Sequence, residues 1–184
     1  MADWKYKRKM MRRYDLTADM YDQLYGEEQR AKYRAALENV KLAGGEILDV
    51  GCGTGLFFSY VAASASVVVG VDTSRRLVLK ANAEAKKAEN LFVLQADADH
   101  LPFIEELFEA VFAFTVLQNM PKPSLTLREL KRVTKENGSV VVTGLKKVFQ
   151  LEKFMGLLEG ASLQVASLVD SDDLKCYVAV SVAK

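Results

Sequence analysis

The stretch Ile47–Phe57, ILDVGCGTGLF, is an apolar run that ends in an acidic residue and then places three glycines at alternate positions. The apolar run predicts a β-strand, and the apolar segment after the glycines predicts a helix. Glycine permits positive φ and lets another group approach the main chain closely. We therefore expect a strand–turn–helix unit whose turn, at Gly51, Gly53 and Gly55, lies against a ligand.

Strand-like and helical segments alternate on the C-terminal side of this turn. The predicted strands are 46–50, 66–71, 91–96, 109–115 and 139–145, and the predicted helices are 54–64, 74–89, 123–136 and 150–159. Such alternation is typical of a parallel sheet that is covered by helices on both faces. The strand-like segments 163–168 and 177–183 are joined by a polar connection too short for a crossover helix, which favours an antiparallel hairpin. The prediction is a doubly wound α/β fold with a mostly parallel seven-stranded sheet and a C-terminal antiparallel hairpin.

The beginning of the chain is strongly basic. Six cations accompany a single acidic residue, Asp3, in the first thirteen positions: Lys5, Lys7, Arg8, Lys9, Arg12 and Arg13. Apolar residues at helical spacing follow, such as Leu16, Met20, Tyr21 and Leu24, and predict two helices or one that breaks near Gly26. We expect one domain over 1–184, composed of a basic arm at 1–13, a helical lid at 14–43 and a core at 46–184.

Composition excludes several classes of protein. The chain has 184 residues, of which 50% are hydrophobic, so it can bury a sizeable core. No apolar run reaches the length of a membrane span, and the basic start lacks the apolar region of a secretory signal, so we expect a cytoplasmic protein without a transmembrane segment. Cys52 and Cys176 are the only cysteines and lack metal-ligand spacing, which predicts neither a disulfide framework nor a metal site.

The spacing of the glycines narrows the class of ligand. A dinucleotide fingerprint would require glycine at position 56, where this chain has Leu56, so a nicotinamide or flavin cofactor is disfavoured. The acidic Asp49 at the strand end suits a ligand that carries a cationic amine. A glycine-rich turn without a ligand remains the alternative.

Several motifs resemble one family. LDVGCGTG resembles the first motif of the class I S-adenosylmethionine (SAM)-dependent methyltransferases, and VVVGVDTS and LQADADHLPF are similar to their second and third motifs. FTVLQNM, LRELKRVTKENGSVVVT and YDLTADMYDQLY are similar to segments of the subgroup that includes quinone-biosynthesis methyltransferases. The similarity runs from about Tyr14 to Val142, although KENG stands where the subgroup usually has KPGG. It implies a Rossmann-like methyltransferase fold with an N-terminal helical lid.

The resemblance also implies roles for individual residues. Asp49 would orient the methionine amino group of SAM, Asp72 would accept hydrogen bonds from the ribose hydroxyls, and Asp97 would meet the adenine amino group. The cofactor residues that it implies are Tyr21, Asp49, Gly51, Cys52, Gly53, Gly55, Asp72, Thr73, Asp97, Ala98 and Phe114. The candidates for substrate contact are Tyr25, Gln118 and Asn119. Structural roles remain open for several of these residues: caps or turns for the aspartates, Gln118 and Asn119, and packing for Tyr25.

The resemblance implies a SAM-dependent methyltransferase that acts on RNA or a small molecule, with a non-catalytic SAM-binding module or partner subunit as the alternative. Because the cofactor is itself a strong electrophile, no catalytic residue is obligatory, and none is predicted. The cations of the arm alternate with Trp4 and Tyr6, a composition suited to RNA phosphates and bases. A solvated terminus or contact with an anionic membrane surface would also explain the arm.

Overall fold

A computed structural model describes residues 2–184. Their strands form one seven-stranded sheet with the order β3-β2-β1-β4-β5-β7-β6. The strands are β1 Gly44–Val50, β2 Ala65–Asp72, β3 Leu91–Gln95, β4 Phe108–Ala113, β5 Thr134–Leu145, β6 Leu163–Val169 and β7 Cys176–Ala183. The helices are α1 Ala2–Thr17, α2 Tyr21–Leu37, α3 Phe58–Val61, α4 Arg75–Ala85, α5 Pro123–Val133 and α6 Leu151–Glu159. Strands β1 to β5 pair in parallel, which confirms the doubly wound fold.

The sheet is buried on both faces, as its apolar strands predicted. In β1, Leu48 packs into one core cluster with Leu127 of α5 and Phe154 of α6. Its neighbour Ile47 packs into a second cluster that contains Phe57 and Phe112. Successive side chains of a strand point to opposite faces, so one short apolar strand supplies both cores.

The predicted C-terminal hairpin is confirmed. Strand β7 pairs antiparallel with β6, and it also pairs antiparallel with β5, for example Val141 with Val180. It therefore lies between β5 and β6 and ends the parallel part of the sheet. The connection between β6 and β7 consequently lies at the same edge of the sheet as the C-terminal end of β5.

Of the two alternatives predicted before the first strand, two helices is confirmed, and a single helix broken near Gly26 is wrong because α2 continues through this residue. The two N-terminal helices are separated instead by a 3₁₀ turn at Ala18–Met20. Gly26 is buried, and a β-carbon there would lie 3.9 Å from Leu56. Helix α2 thus lies beside the glycine-rich turn at this point.

Several other predicted boundaries were also wrong, including the end of the helix predicted at 74–89, which ends at Ala85. The helix predicted at 54–64 is reduced to α3 and a 3₁₀ turn at Ala62–Ser64, because the positive φ of Gly55 prevents a helix from starting at residue 54. The helix predicted at 123–136 ends at Val133, since Thr134 is already extended and begins β5. The strand predicted at 109–115 ends at Ala113, and Thr115 has a φ of +63°.

The apolar positions Leu16, Met20 and Leu24 predicted the lid helices, but these side chains point outward. Leu16 is 81% exposed, and the other two are about half exposed. Ala18 and Tyr21 face inward instead and pack against Leu77 of α4. None of the helices within residues 2–184 is long and apolar enough to cross a membrane. The expected cytoplasmic location stays a prediction.

Two glycines near α6 give a matched test of the packing. A β-carbon on Gly144 in β5 would lie 2.6 Å from the Phe154 ring, whereas one on Gly156 in α6 would meet no atom within 4 Å. We predict that Gly144→Ala destabilises the protein by about 1–3 kcal/mol through overpacking. Gly156→Ala should stabilise it by about 0.5–1 kcal/mol, because alanine is the better helix former. Urea denaturation of both variants measures the two effects, and equal unfolding free energies would contradict this description of the core.

Candidate functional site

The glycine-rich turn after β1 is fastened to the end of β2 by main-chain hydrogen bonds. The N–H groups of Gly51 and Cys52 both donate to the Val71 carbonyl, at 2.7 and 3.0 Å. The Gly53 N–H donates to Asp72 Oδ2 at 3.0 Å. Gly51 and Gly53 have φ values of +73° and +58°, a region that side chains disfavour. The glycines thus let the turn fold back against β2.

Protein side chains also lie against all three glycines of the turn, and the expected ligand contact stays a prediction. A β-carbon on Gly51 would lie 2.6 Å from Val116, and one on Gly53 would lie 3.2 Å from the Tyr21 ring. On Gly55 it would lie 2.8 Å from the Phe58 ring. Of the three, only Gly51 also lines the cavity described below.

Asp49, the last acidic residue before the turn, is buried and incompletely hydrogen-bonded. Its side chain is 2% exposed, and its Oδ2 atom has no hydrogen-bond partner among residues 2–184. Burial, with a smaller contribution from the Asp72 carboxylate, raises the pKa of Asp49 to about 8. A buried acceptor without a donor is costly, which suggests that a ligand supplies the missing partner.

Asp72 ends β2 and lies between the turn and α4. Its Oδ1 accepts the Ser74 N–H at 2.8 Å, and Ser74 itself caps α4 by accepting the Leu77 N–H. Burial raises the pKa of Asp72 to about 6, although the main-chain donors, including Ser74 and Gly53, oppose this shift. A carboxylate has about four acceptor positions, so Asp72 can still accept hydrogen bonds from a ligand.

A cavity opens at this edge of the sheet, between the ends of β1, β2 and β4 and the lid helix α1. About 700 Å³ of space that includes its open mouth is free of protein atoms. The predicted residues that line it are Tyr21, Gly51, Asp72, Thr73, Asp97, Ala98, Phe114 and Asn119. The predicted residues outside its lining are Asp49, Cys52, Gly53, Gly55, Tyr25 and Gln118. The Cys52 thiol is buried in the core, which raises its pKa well above the ordinary value.

Lys7 reaches this cavity from α1 and pairs with Asp97, which sequence reasoning did not foresee. Its Nζ lies 2.7 Å from both carboxylate oxygens of Asp97 and also forms an ion pair with Asp99. Lys7 is 8% exposed. Burial alone would lower the pKa of Lys7, but hydrogen bonds to the two aspartates outweigh burial and raise it. Part of the segment predicted as a basic arm therefore forms one wall of the cavity.

Three lid tyrosines pack side by side above the turn. Tyr21 lies between Tyr14 and Tyr25, with ring centroids 6.2 and 5.2 Å away. The Tyr14 hydroxyl accepts a hydrogen bond from Asn119 Nδ2 at 2.9 Å. Burial raises the pKa of both Tyr14 and Tyr21, so these hydroxyls stay neutral in ordinary buffers.

A strained residue follows β4 at the centre of the site. Thr115 is β-branched yet has a φ of +63°, and such strain is concentrated at functional sites. Its hydroxyl accepts hydrogen bonds from Lys32 Nζ at 3.0 Å and Gln29 Nε2 at 3.2 Å. Sequence reasoning missed these three residues. The available signal was polar residues on the buried face of α2, in the helical register of Tyr21 and Tyr33.

A second cavity adjoins the first on the side of β5. Five residues line both cavities: Met10, Tyr14, Tyr21, Thr115 and Asn119. The predicted substrate residues Tyr25, Gln118 and Asn119 all line this second cavity. The predicted cofactor residues therefore lie around the turn and the first cavity, and the predicted substrate residues line the second cavity.

The fold and site define a doubly wound α/β protein with a ligand cavity at the carboxyl ends of its parallel strands, where this architecture binds ligands. A family described as a methyltransferase domain matches residues 48–142, just over half of the chain. The phosphatidylethanolamine N-methyltransferase of Cereibacter sphaeroides is 30% identical over 126 residues, which are 67% of this chain and 62% of that protein. The demethylmenaquinone methyltransferase of Clavibacter sepedonicus is 30% identical over 134 residues, which are 70% of this chain and 55% of that protein.

The chain thus belongs to the class I SAM-dependent methyltransferase family. It spans about three fifths of the length of these curated relatives. Among solved structures, a magnesium protoporphyrin IX methyltransferase from Synechocystis with bound SAM superposes with a TM-score of 0.78. That match covers 97% of each chain at 16% identity, so it shows the shared fold.

The raised pKa of Asp49 predicts a specific pH dependence of stability. Above the unfolded pKa of 3.8 and below about 8, the folded state holds a proton that the unfolded state has released, so stability falls as pH rises. Asp72 acts in the same sense only up to about pH 6. Between pH 6 and 8 we expect the ligand-free protein to lose about 2 kcal/mol, and Asp49→Asn to abolish this loss. Urea denaturation at several pH values measures it.

Asp72→Asn is the control for this experiment. It replaces one of the two carboxylate oxygens that accept from Gly53 and Ser74 with an amide NH2 group, so it should destabilise the protein at every pH. The slope between pH 6 and 8 should persist and become somewhat smaller, because the minor contribution of the Asp72 carboxylate to the pKa of Asp49 is lost. A slope that is the same in wild type and Asp49→Asn would show that Asp49 does not titrate in this range.

Proposed function

We propose that the protein transfers a methyl group from SAM to an acceptor bound in the second cavity. The observation that carries the proposal is the unpartnered, buried carboxylate of Asp49 behind a main-chain turn that faces the first cavity. Such a site favours a ligand with a cationic amine, and SAM has one on its methionine end. The residues present therefore fit this cofactor.

In this proposal, Asp49 holds the amino group and the main chain at Gly51 and Gly53 supports the methionine and ribose. Asp72 accepts hydrogen bonds from the ribose hydroxyls with the acceptor positions that Ser74 and Gly53 leave free. Asp97 accepts a hydrogen bond from the adenine amino group. To do so, its carboxylate must either bind the adenine and Lys7 together or lose its contact with Lys7. Ala98, Thr73 and Phe114 complete the apolar and polar walls.

When bound, SAM supplies an electrophilic methyl group, so the chain's task is to align the acceptor and exclude water. Tyr14, Tyr21, Thr115 and Asn119 lie where the two cavities meet and can position both molecules. Their side chains are neutral. Among residues 2–184, Glu28 is the one carboxylate in the lining of the second cavity, and it is paired with Lys32 and Lys175. We infer that the acceptor atom is already nucleophilic, and we assign no general base.

A non-catalytic SAM-binding module is less well supported, because a second cavity would then have no role. Small-molecule acceptors suit that cavity. RNA is a second candidate, since α1 exposes five cations together with Trp4 and Tyr6: Lys5, Arg8, Lys9, Arg12 and Arg13.

Titration calorimetry with S-adenosylhomocysteine, the demethylated cofactor, tests the cofactor site. We expect binding to wild type and a loss of at least tenfold in affinity for Asp72→Ala, because the ribose loses its acceptors. At pH 7 binding should release protons, since an ammonium group beside Asp49 favours the carboxylate. Buffers of different ionisation enthalpy measure this release. Binding without proton release in wild type, or unaltered by Asp72→Ala, would remove these two aspartates from the site.

Salt-dependent binding of a single-stranded RNA tests the RNA candidate. Removing residues 1–13 would also remove Lys7 and Met10 from the cofactor cavity. Substitutions of exposed cations therefore test RNA contact more specifically than truncation does. If RNA is the acceptor, Lys9→Gln with Arg12→Gln should lower the slope of log K against log salt by about 1.4. Lys86→Gln with Lys153→Gln, just after α4 and on α6, makes the same change of charge and should have no effect. Equal slopes in all three proteins would exclude the exposed face of α1 as an RNA contact.

A further inference from the structure

The second cavity lies between the lid helices and the edge of the sheet where β5 ends. Its walls come from α1, α2, the loop after β4, the segment after β5 and the connection between β6 and β7. About 1500 Å³ of space that includes its open mouth is free of protein atoms. This volume is sufficient for a small organic molecule beside the cofactor cavity.

The lining of this cavity is strongly cationic. Five cations line it, against the single carboxylate of Glu28: Arg13, Lys32, Lys146, Lys147 and Lys175. They come from four separate parts of the fold, so no local sequence run explains their convergence. Most of the chain is mildly acidic, since subtracting six cations and one acid of residues 1–13 leaves 19 basic and 23 acidic residues. Four of the five lining cations belong to this mildly acidic remainder, so they are concentrated at this cavity.

The acidic partners nearby neutralise only part of this charge. Glu28 is shared by Lys32 at 2.8 Å and Lys175 at 3.1 Å, and Asp170 pairs with Lys146 at 2.7 Å. Within residues 2–184, no carboxylate lies within 4.0 Å of the side-chain nitrogens of Arg13 or Lys147. Three of the five cations thus share two carboxylates, and two have none.

One buried polar atom points to a ligand in the same place. Lys32, which also lines the cavity, is 1% exposed and already has partners in Thr115 Oγ1 at 3.0 Å and Glu28 at 2.8 Å. Gln118 Oε1 is buried and has no hydrogen-bond donor within residues 2–184. An unpartnered acceptor in a cationic cavity suits a molecule that carries both a negative group and an N–H or O–H donor.

We propose that the methyl acceptor is a small molecule with a carboxylate or phosphate group, and that Arg13 and Lys147 bind this group. An N–H or O–H group of this molecule would donate a hydrogen bond to Gln118 Oε1. Tyr25 offers an apolar ring face to the carbon skeleton of the molecule. This inference rests on the proposed methyltransferase function and adds the chemical class of the acceptor. An acceptor with only a cationic amine would be repelled by the same lining.

Binding of simple probes to the protein saturated with S-adenosylhomocysteine tests the proposal. The probes are phenyl phosphate and benzoate, with neutral benzamide and cationic benzylamine for comparison. We expect the two anions to bind and the other two not to bind. Arg13→Gln with Lys147→Gln should weaken anion binding by about fivefold or more, and Lys86→Gln with Lys153→Gln should not. Unchanged affinity for S-adenosylhomocysteine in both double variants shows that the cofactor site is intact.

The possible outcomes distinguish failure of the proposed methyltransferase function from failure of the proposed anionic acceptor. If S-adenosylhomocysteine does not bind wild type, the proposed function fails. If it binds but benzamide binds as tightly as benzoate, or the Arg13 and Lys147 variant binds anions like wild type, the anionic acceptor is refuted. A short RNA that displaces phenyl phosphate from wild type would refute a small-molecule acceptor and assign the negative group to a polynucleotide.

Discussion

The hydrogen bond from the Gly53 N–H to Asp72 joins the ends of the neighbouring strands β1 and β2, and the cofactor part of the site depends on it. It can form only because the chain after β1 turns back through positive φ, which brings the main chain onto the β2 carboxylate. The same bend places Asp49 below the turn and opens the cavity in front of Gly51. Two carboxylates are thus held in a low-dielectric setting, where their raised pKa values reflect the cost of burial without a counter-ion. A cationic ligand would offset this cost.

The first part of the lid and helix α1 cover this arrangement through several polar contacts. Asp15 accepts a hydrogen bond from Ser74, Asp19 pairs with Arg76, and Lys7 joins the aspartates that follow β3. The apolar contacts of this part centre on a small cluster of Ala18, Tyr21 and Leu77. Helix α2 differs, because its residues Tyr33 and Ala36 pack into the core of the sheet. The exposed pair of Asp19 and Arg76 contributes only about 0–1 kcal/mol, so the buried contacts of Lys7 and Ala18 hold α1 in place.

The sheet could be predicted from sequence because each strand is a short apolar run with a clear boundary, and because the hairpin connection is too short for a helix. The turn could be predicted because glycine permits positive φ, which Gly51, Gly53 and Gly55 all adopt. The convergence of residues from distant parts of the chain on the two cavities could not be predicted from sequence. In sequence, Lys7 is one cation in a basic run, and nothing distinguishes Lys32 from the other polar residues of its helical segment. The strain at Thr115 leaves no trace in sequence. Each becomes visible only when elements far apart in the chain are packed together.

A crystal structure with S-adenosylhomocysteine is the most direct test of the cofactor site. The account predicts that its amino group lies within hydrogen-bonding distance of Asp49, that its ribose hydroxyls lie on Asp72, and that its adenine competes with Lys7 for Asp97. A nucleoside bound elsewhere, with the turn covered by Tyr21 and Lys7 still paired to both aspartates, would contradict it.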